Sequence, residues 1–305
     1  MFQFKSLSEL LRSNPTEQDC INYLKEIIWN GKPPISPFDP TSKVYECKNN
    51  KYKCKNTGKY FTIKSLTVFR NSKISFLDWF WALCFFSSKK GTSSCQLVRN
   101  IGITQKSAWF VLHRLRETFK NPIFKTMLGN EVEIDETYLG GSNTNRHRDK
   151  KVPRCQGRNW KDKIPTLVIT GRESNVIAEV VPNVSQKTLE PIIKKYVEKG
   201  SNVYTDEWKA YNGLYKTYNH QRVIHRIKQY TNGKASTNLA ENFNSCLKRG
   251  IYGTYHQISR KHAQRYVDEF TFRYNTRKYE EQERFDLVLS SAVGKSLSYR
   301  ELIST

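Results

Sequence analysis

Asp135 interrupts an alternating segment, EVEIDETYLGG, between Ile134 and Glu136. Asp206 ends a second apolar run, in VYTDEW, and Glu241 lies in the helical pattern NLAENFNSCLKR. An unpaired charge within or at the end of an apolar strand is costly to bury. Carboxylates brought together also raise one another's pKa. A divalent cation resolves both problems. Mg2+ takes oxygen ligands, commonly one or two carboxylates plus substrate phosphates. Two such ions about 4 Å apart activate an attacking oxygen and stabilise the leaving one in phosphoryl transfer. Asp135, Asp206 and Glu241 are therefore candidate metal ligands and catalytic residues. Lys248 follows Glu241 by two helical turns and shares its face. An acid for metal beside a cation for phosphate suits a polynucleotide substrate. Plainer roles use the same residues: strand-end aspartates cap turns, and a Glu and Lys at this spacing decorate a solvated helix.

The elements that must carry these acids can be read from periodicity. EVEIDETYL alternates as a strand and stops at Gly140-Gly141. Strands follow over Ile164–Thr170 and Val176–Val181, joined by a turn over residues 171–175. Residues 185–199 make a helix with Leu189, Ile192, Ile193 and Tyr196 on one face. A fourth strand, Asn202–Thr205, leads into Asp206, and 221–225 is a candidate fifth. Helices follow over 237–249 and 261–278. This is an α/β order in which the first and fourth strands can be neighbours. Residues 142–163 are polar and basic, with Arg146, Arg148, Lys150, Lys151, Arg154 and Arg158, and read as a mobile loop able to clamp DNA.

Upstream, residues 1–30 read as an amphipathic helical lead-in, broken by Pro33, Pro34, Pro37 and Pro40. Residues 43–61 suggest two short strands carrying Cys47 and Cys54. A structural zinc site needs four ligands, usually in close pairs, and neither cysteine has a C-x-x-C partner, so bound zinc is not expected. Residues 72–119 are helical. Within them Leu97, Val98 and Ile101 form one apolar face, Gly102 turns the chain, Thr104 caps the next helix, and Ala108, Val111, Leu112 and Leu115 continue the core. A helix-turn-helix of this kind offers Gln105, Lys106, Ser107 and Arg114 to a DNA major groove. An ordinary helical hairpin has the same apolar spacing. His220 and His225 are five residues apart, unlike the i, i+4 pair of a zinc protease.

Composition narrows the classes. The chain has 305 residues with 51 Lys/Arg and 28 Asp/Glu, a net charge of +23. The excess is not a tail: residues 1–128 carry 21 basic and 8 acidic residues, and residues 129–305 carry 30 and 20. Such a surface attracts a polyanion by phosphate neutralisation and counterion release. Aromatics at 13% exclude whole-chain disorder. Seven irregularly spaced cysteines exclude a disulfide scaffold and fit a reducing compartment. No apolar run at the start resembles a signal peptide. The most apolar stretch, 74–86, contains Asp78 and is too short to span a membrane. The chain is expected to be soluble and intracellular, in the nucleus of a eukaryotic host and otherwise in the cytoplasm or nucleoid.

EVEIDETYLGG, VYTDEWKAY, NLAENFNSCLKRGIYGTYHQISRKHAQRYVDEFTFRYNTR and SSKKGTSSCQLVRNIGITQKSAWFVLHRLRE together resemble the ISXO-like DDE transposases. These are bacterial insertion-sequence enzymes with eukaryotic relatives, the Merlin elements. The resemblance covers roughly residues 43–278. It implies an α/β, ribonuclease-H-like mixed-sheet catalytic domain over 129–285. Ahead of it would come a helical lead-in and Pro-rich linker (1–42), a degenerate zinc-ribbon-like hairpin (43–64) and a helix-turn-helix DNA-binding region (65–128), with a C-terminal tail over 286–305. By motif position Asp135, Asp206 and Glu241 become the triad for two Mg2+ or Mn2+ ions. Lys248, followed by Arg249, falls where a contact to transposon-end DNA is implied. Thirty-four residues separate Asp206 from Glu241, a spacing usual for such enzymes. Relatives often carry a four-cysteine ribbon; here Cys54 resembles one survivor, with Thr57 in its partner's place. The implied activity is binding of terminal inverted repeats, metal-dependent cleavage and strand transfer into target DNA, by a homo-oligomer assembled on the double strand. The alternatives are a domesticated or inactive DNA-binding copy and a metal-dependent nuclease of the same fold.

Overall fold

The computed structural model describes residues 4–141, 143–153, 155, 161–227, 229 and 231–304. The chain divides into two units, residues up to 121 with those from 276 on, and residues 122–275.

In the first unit the lead-in is two helices, α1 (Leu7–Ser13) and α2 (Glu17–Trp29), with Asn14 and Asn30 in the left-handed conformation at their ends. Thr16 and Asp19 form a capping box that starts α2. The two expected strands are three: β1 (Val44–Cys47), β2 (Lys51–Cys54) and β3 (Tyr60–Thr62), an antiparallel sheet in that order. The third has only three residues, too few to show a period. Tyr52 stacks on Phe61 and meets the edge of Trp29.

Cys47 and Cys54 are both free thiols, and only Cys54 is buried. Burial alone would raise the Cys54 thiol, but the hydroxyls of Ser36, Ser42 and Thr57 and the Thr57 amide hold it down at about 6. Facing Cys54-x-x-Thr57 is a loop at the same spacing, Ser36-x-x-Asp39. Ser36 Oγ accepts from the amides of Phe38 (3.1 Å) and Asp39 (3.4 Å), and Asn56 Nδ2 donates to Asp39 (2.8 Å). The two loops are thus stitched by hydrogen bonds, and Cys47 lies outside them.

Three helices follow, α3 (Phe76–Ser87), α4 (Ser94–Ile101) and α5 (Gln105–Glu117). Gly102, at φ 70°, makes the corner between α4 and α5, where an L side chain would be strained. Thr104 caps α5 through the Ser107 amide.

The second unit is built on a five-stranded mixed sheet of β4 (Glu131–Leu139), β5 (Ile164–Gly171), β6 (Val176–Val180), β7 (Asn202–Thr205) and β8 (Asn219–Arg222), in the order β6-β5-β4-β7-β8. The β4–β5 and β5–β6 pairs are antiparallel, while β4–β7 and β7–β8 are parallel. The fifth strand starts two residues earlier than expected and ends three earlier. Between β6 and β7 runs α6 (Gln186–Tyr196). A two-stranded ribbon, β9 (Thr231–Asn232) and β10 (Ala235–Ser236), precedes α7 (Asn238–Gly250) and α8 (Ala263–Asn275). Alternation along the strands makes two cores. Val132, Ile134, Leu167, Ile169 and Val203 pack beneath α6. Leu139, Val168 and Ala178 pack against Phe243 and Leu247 of α7 and Val267 of α8.

After residue 275 the chain returns to the first unit as α9 (Glu281–Ser291) and α10 (Tyr299–Ile303). The boundary read at 285/286 therefore falls inside α9, which buries Phe285, Val288 and Leu289. Phe285 packs against Tyr23 and Phe80. Arg154 and Arg158 of the expected loop lie outside the described residues; the described parts of that segment hold short turns over Asn143–Asn145 and Arg148–Lys150. Among the described residues no helix is long and apolar enough to cross a membrane.

Candidate active site and nucleic-acid interface

Parallel pairing sets Glu131 opposite Asn202 and Glu133 opposite Tyr204. Carried two residues further, that register brings Asp135 level with Asp206, where β7 ends. Val132, Ile134 and Val203 point to the α6 side, so alternation turns Glu133 and Asp135 to the side covered by α7. Both aspartates also lie near one buried side chain. The Tyr211 hydroxyl is pushed well above its ordinary pKa, first by burial, then by Glu136, to which it donates a hydrogen bond, and then by both Asp135 and Asp206.

Glu133 sets α7 over this pair. It is buried at 1% exposure, and its Oε2 accepts from the amides of Leu239 (2.7 Å) and Ala240 (3.4 Å) at the start of α7. Its Oε1 accepts from Ser236 Oγ and Arg172 Nε, both at 2.9 Å. Thr237 at the N-cap makes no side-chain capping bond. A carboxylate two residues before Asp135 thus serves the orphan amides and the positive end of the helix.

One turn after Glu241, Asn244 is 6% exposed, and its Nδ2 donates to Asp135 Oδ2 at 2.7 Å. The i, i+3 spacing places Glu241 on the same side of the helix. Glu241 Oε1 lies 3.4 Å from His225 Nε2 and accepts from Thr237 Oγ1 at 3.2 Å. Asp206 Oδ1 accepts from the Trp208 amide and Asp135 Oδ1 from the Glu136 amide, both at 2.9 Å. Among the described residues no three Asp, Glu, His or Cys side chains converge into a ready-made metal cage. The donor chemistry nonetheless suits a hard cation. It is all oxygen, and Asn244 Oδ1, on the amide that holds Asp135, is buried with no hydrogen-bond partner.

The two histidines have separate places. His220 Nε2 lies 2.9 Å from Thr205 Oγ1, and burial lowers its pKa to about 4, helped by Arg222. His225 is anchored through its amide by Glu207.

Among the candidate DNA contacts, Lys248 is half-buried and Arg249 exposed on α7, with Arg249 Nη2 3.5 Å from Cys246 Sγ. On α5, Gln105 is exposed and donates to Ser94 Oγ at 3.1 Å. Lys106 is exposed over the Tyr299 ring, and Ser107 is half-buried in the cap. Arg114 is a correction. It is 7% exposed, and its guanidinium donates to the carbonyls of Leu297 (3.0 Å) and Arg70 (2.7 Å). One turn after Val111, it faces the packed side of α5 and cannot reach a groove. Sequence reading also missed Glu133 and Asn244. Their signals were present: Glu133 alternates with Asp135, and Asn244 lies between Glu241 and Lys248 on one helical face.

Residues 127–275 match the ISXO2-like transposase domain family. A protein of the transposable element ISH50 of Halobacterium salinarum is 25% identical over 254 residues, 80% of this chain and 84% of its own length. A transposase-like protein of Haemophilus influenzae is 31% identical over 116 residues, 35% of this chain and 86% of its own. With its five-stranded sheet and the three acids inside the matched residues 127–275, the chain belongs to the ISXO2-like transposase family.

Proposed function

We propose that the chain is a DDE transposase whose second unit is a ribonuclease-H-like catalytic domain, with Asp135, Asp206 and Glu241 as ligands for two Mg2+ or Mn2+ ions. The observation that carries this reading is the parallel β4–β7 register, which runs to Glu133–Tyr204 and leads directly into Asp135 and Asp206, with Asn244 tying α7 to Asp135. When bound, the ions supply activation of the attacking oxygen and charge stabilisation on the leaving one. The chain's own part is to hold the acids on rigid strands and a capped helix, and to hold phosphates with Lys248 and Arg249. The helix-turn-helix of α4 and α5 supplies end recognition through Gln105, Lys106 and Ser107. Water opens a phosphodiester at the element's end, and the freed 3′-OH attacks target DNA within a homo-oligomer on the double strand. The β1–β3 sheet is read as folding without structural zinc, because neither Cys47 nor Cys54 has a C-x-x-C partner.

The test uses labelled DNA that carries the flanks of the protein's own gene, with Mg2+. Asp206→Ala is expected to abolish cleavage while gel-shift affinity stays near wild type; cleavage that survives the substitution refutes the assignment. The alternative readings are a copy that binds DNA without cutting and a nuclease of the same fold. Absence of any Mg2+-dependent cleavage by the wild type would select the first, and cleavage without strand transfer would select a nuclease.

A further inference from the structure

Beyond the acids, the second unit holds a cavity of about 700 Å3 at the end of β4. Leu139, Ile164, Ile251 and Ile258 line its apolar part, and Arg146, Lys150, Lys161 and Arg260 its charged part, with one carboxylate, Asp162. Two of the cations are held in place: Arg146 Nη2 donates to the Asp162 carbonyl at 2.9 Å and Arg260 Nη2 to the Lys163 carbonyl at 2.6 Å. Tyr252, 44% exposed, is fixed in the wall by its hydroxyl, which donates to the Gly140 carbonyl at 2.9 Å.

The wall's backbone is unusual. After α7 the chain widens into a π-helical turn, Ile251–Tyr255, of a kind frequent at functional sites. His256 then sits at φ 57°, ψ −50°, with the Gln257 amide donating to the Tyr255 carbonyl at 2.6 Å. That is a γ-turn of the strained, positive-φ type, on a residue with a Cβ. Strain of this kind persists only where the surroundings over-determine it. Here it aims Tyr252, Ile258 and Arg260 at one space.

Two of the three elements that carry the acids, β4 and α7, lead to this cavity. From Asp135 to Leu139 is four strand residues, about 13 Å; from Glu241 to Ile251 is ten helical residues, about 15 Å. At about 3.4 Å per nucleotide along one strand, that is roughly four nucleotides from the proposed cleavage point, with Lys248 between. An apolar floor beside an aromatic ring accepts a base, and fixed guanidinium groups accept its phosphate.

We propose that this cavity binds an unstacked nucleotide of the DNA strand being cut, its base against Tyr252 and Ile258 and its phosphate on Arg146 and Arg260. The proposal rests on reading the unit as a DNA-cutting domain. Drawing one nucleotide out of the helix would hold the strand in register with the acids.

The test measures binding of the full-length protein to a short labelled oligothymidylate and to a blunt duplex at one salt concentration, by fluorescence anisotropy. Tyr252→Ala is expected to weaken oligothymidylate binding about tenfold or more and leave duplex binding within about twofold, with Tyr252→Phe restoring the first. Ile258→Trp, which crowds the apolar wall beside Tyr252, is expected to act like Tyr252→Ala. Thymidine monophosphate should displace the oligothymidylate better than inorganic phosphate at equal concentration. Variants that bind both probes as the wild type does overturn the proposal, as does equal competition by inorganic phosphate, which would make the cavity an anion site only. Asp206→Ala should bind both probes normally, so failure of the cleavage assignment and failure of the nucleotide pocket are read separately.

Discussion

Asn244 ties the two halves of the candidate site together with one hydrogen bond to Asp135. A residue that orients a metal-binding carboxylate typically changes metal affinity or activity by about 10- to 100-fold when removed. Asn244→Ala should therefore shift the Mn2+ midpoint of cleavage upward by about that range. Its cost to stability should be about 1 kcal/mol or less, because only one hydrogen bond is lost and a buried unpartnered oxygen goes with it. A wild-type Mn2+ midpoint would show that Asn244 merely fills space. His220 gives a pH prediction. Its pKa falls from the ordinary 6.5 to about 4 in the folded chain, chiefly through burial, so between these values the unfolded state binds more protons. Stability is then fully present above pH 6.5 and is lost as pH falls toward about 4. Urea unfolding midpoints should drop across this window, and the drop should be smaller in His220→Gln. Equal slopes for the two proteins would assign the acid sensitivity to other groups.

The element that decides the site is α7, and it is capped from outside its own sequence. Glu133 supplies what Thr237 does not, and it also pairs Arg172. Glu133→Leu removes the acceptor for the Leu239 and Ala240 amides and leaves a half-buried guanidinium short of its partner. A loss of about 3 kcal/mol is expected, measured by denaturant unfolding, whereas Glu133→Gln keeps an acceptor and should lose less. An unchanged midpoint in Glu133→Leu would mean that packing of Phe243 and Leu247 alone seats the helix. The α4–α5 pair shows the opposite relation of sequence to structure. Gly102, Thr104 and the apolar spacing were legible, because caps and helical period are local. The direction of Arg114 was not, because its partners, the Arg70 and Leu297 carbonyls, lie far away in the chain.

Across the whole molecule the charge is divided almost evenly. The first unit carries 25 Lys/Arg against 13 Asp/Glu, and the second 26 against 15. Each unit is thus basic by itself, and both are expected to contribute phosphate contacts. Duplex affinity should fall steeply with salt, with a log–log slope of several units, measured by anisotropy across a salt series. A flat response would exclude phosphate neutralisation as the source of binding.

Residue chemistry and local period were open to reading from the sequence. The three acids, the strand and helix order, the basic surface and the turn at Gly102 all depend on neighbours within a few positions, where sterics and burial impose a repeat. Tertiary structure alone decided that Asp135 stands level with Asp206, that Glu133 caps a helix about a hundred residues later, that Ser36 and Asp39 face Cys54, and that β4 and α7 end on a shared cavity. Each of these depends on strand register or packing between distant segments. Such pairings are selected by the energy of the assembled sheet and core, and no periodicity along the chain records them.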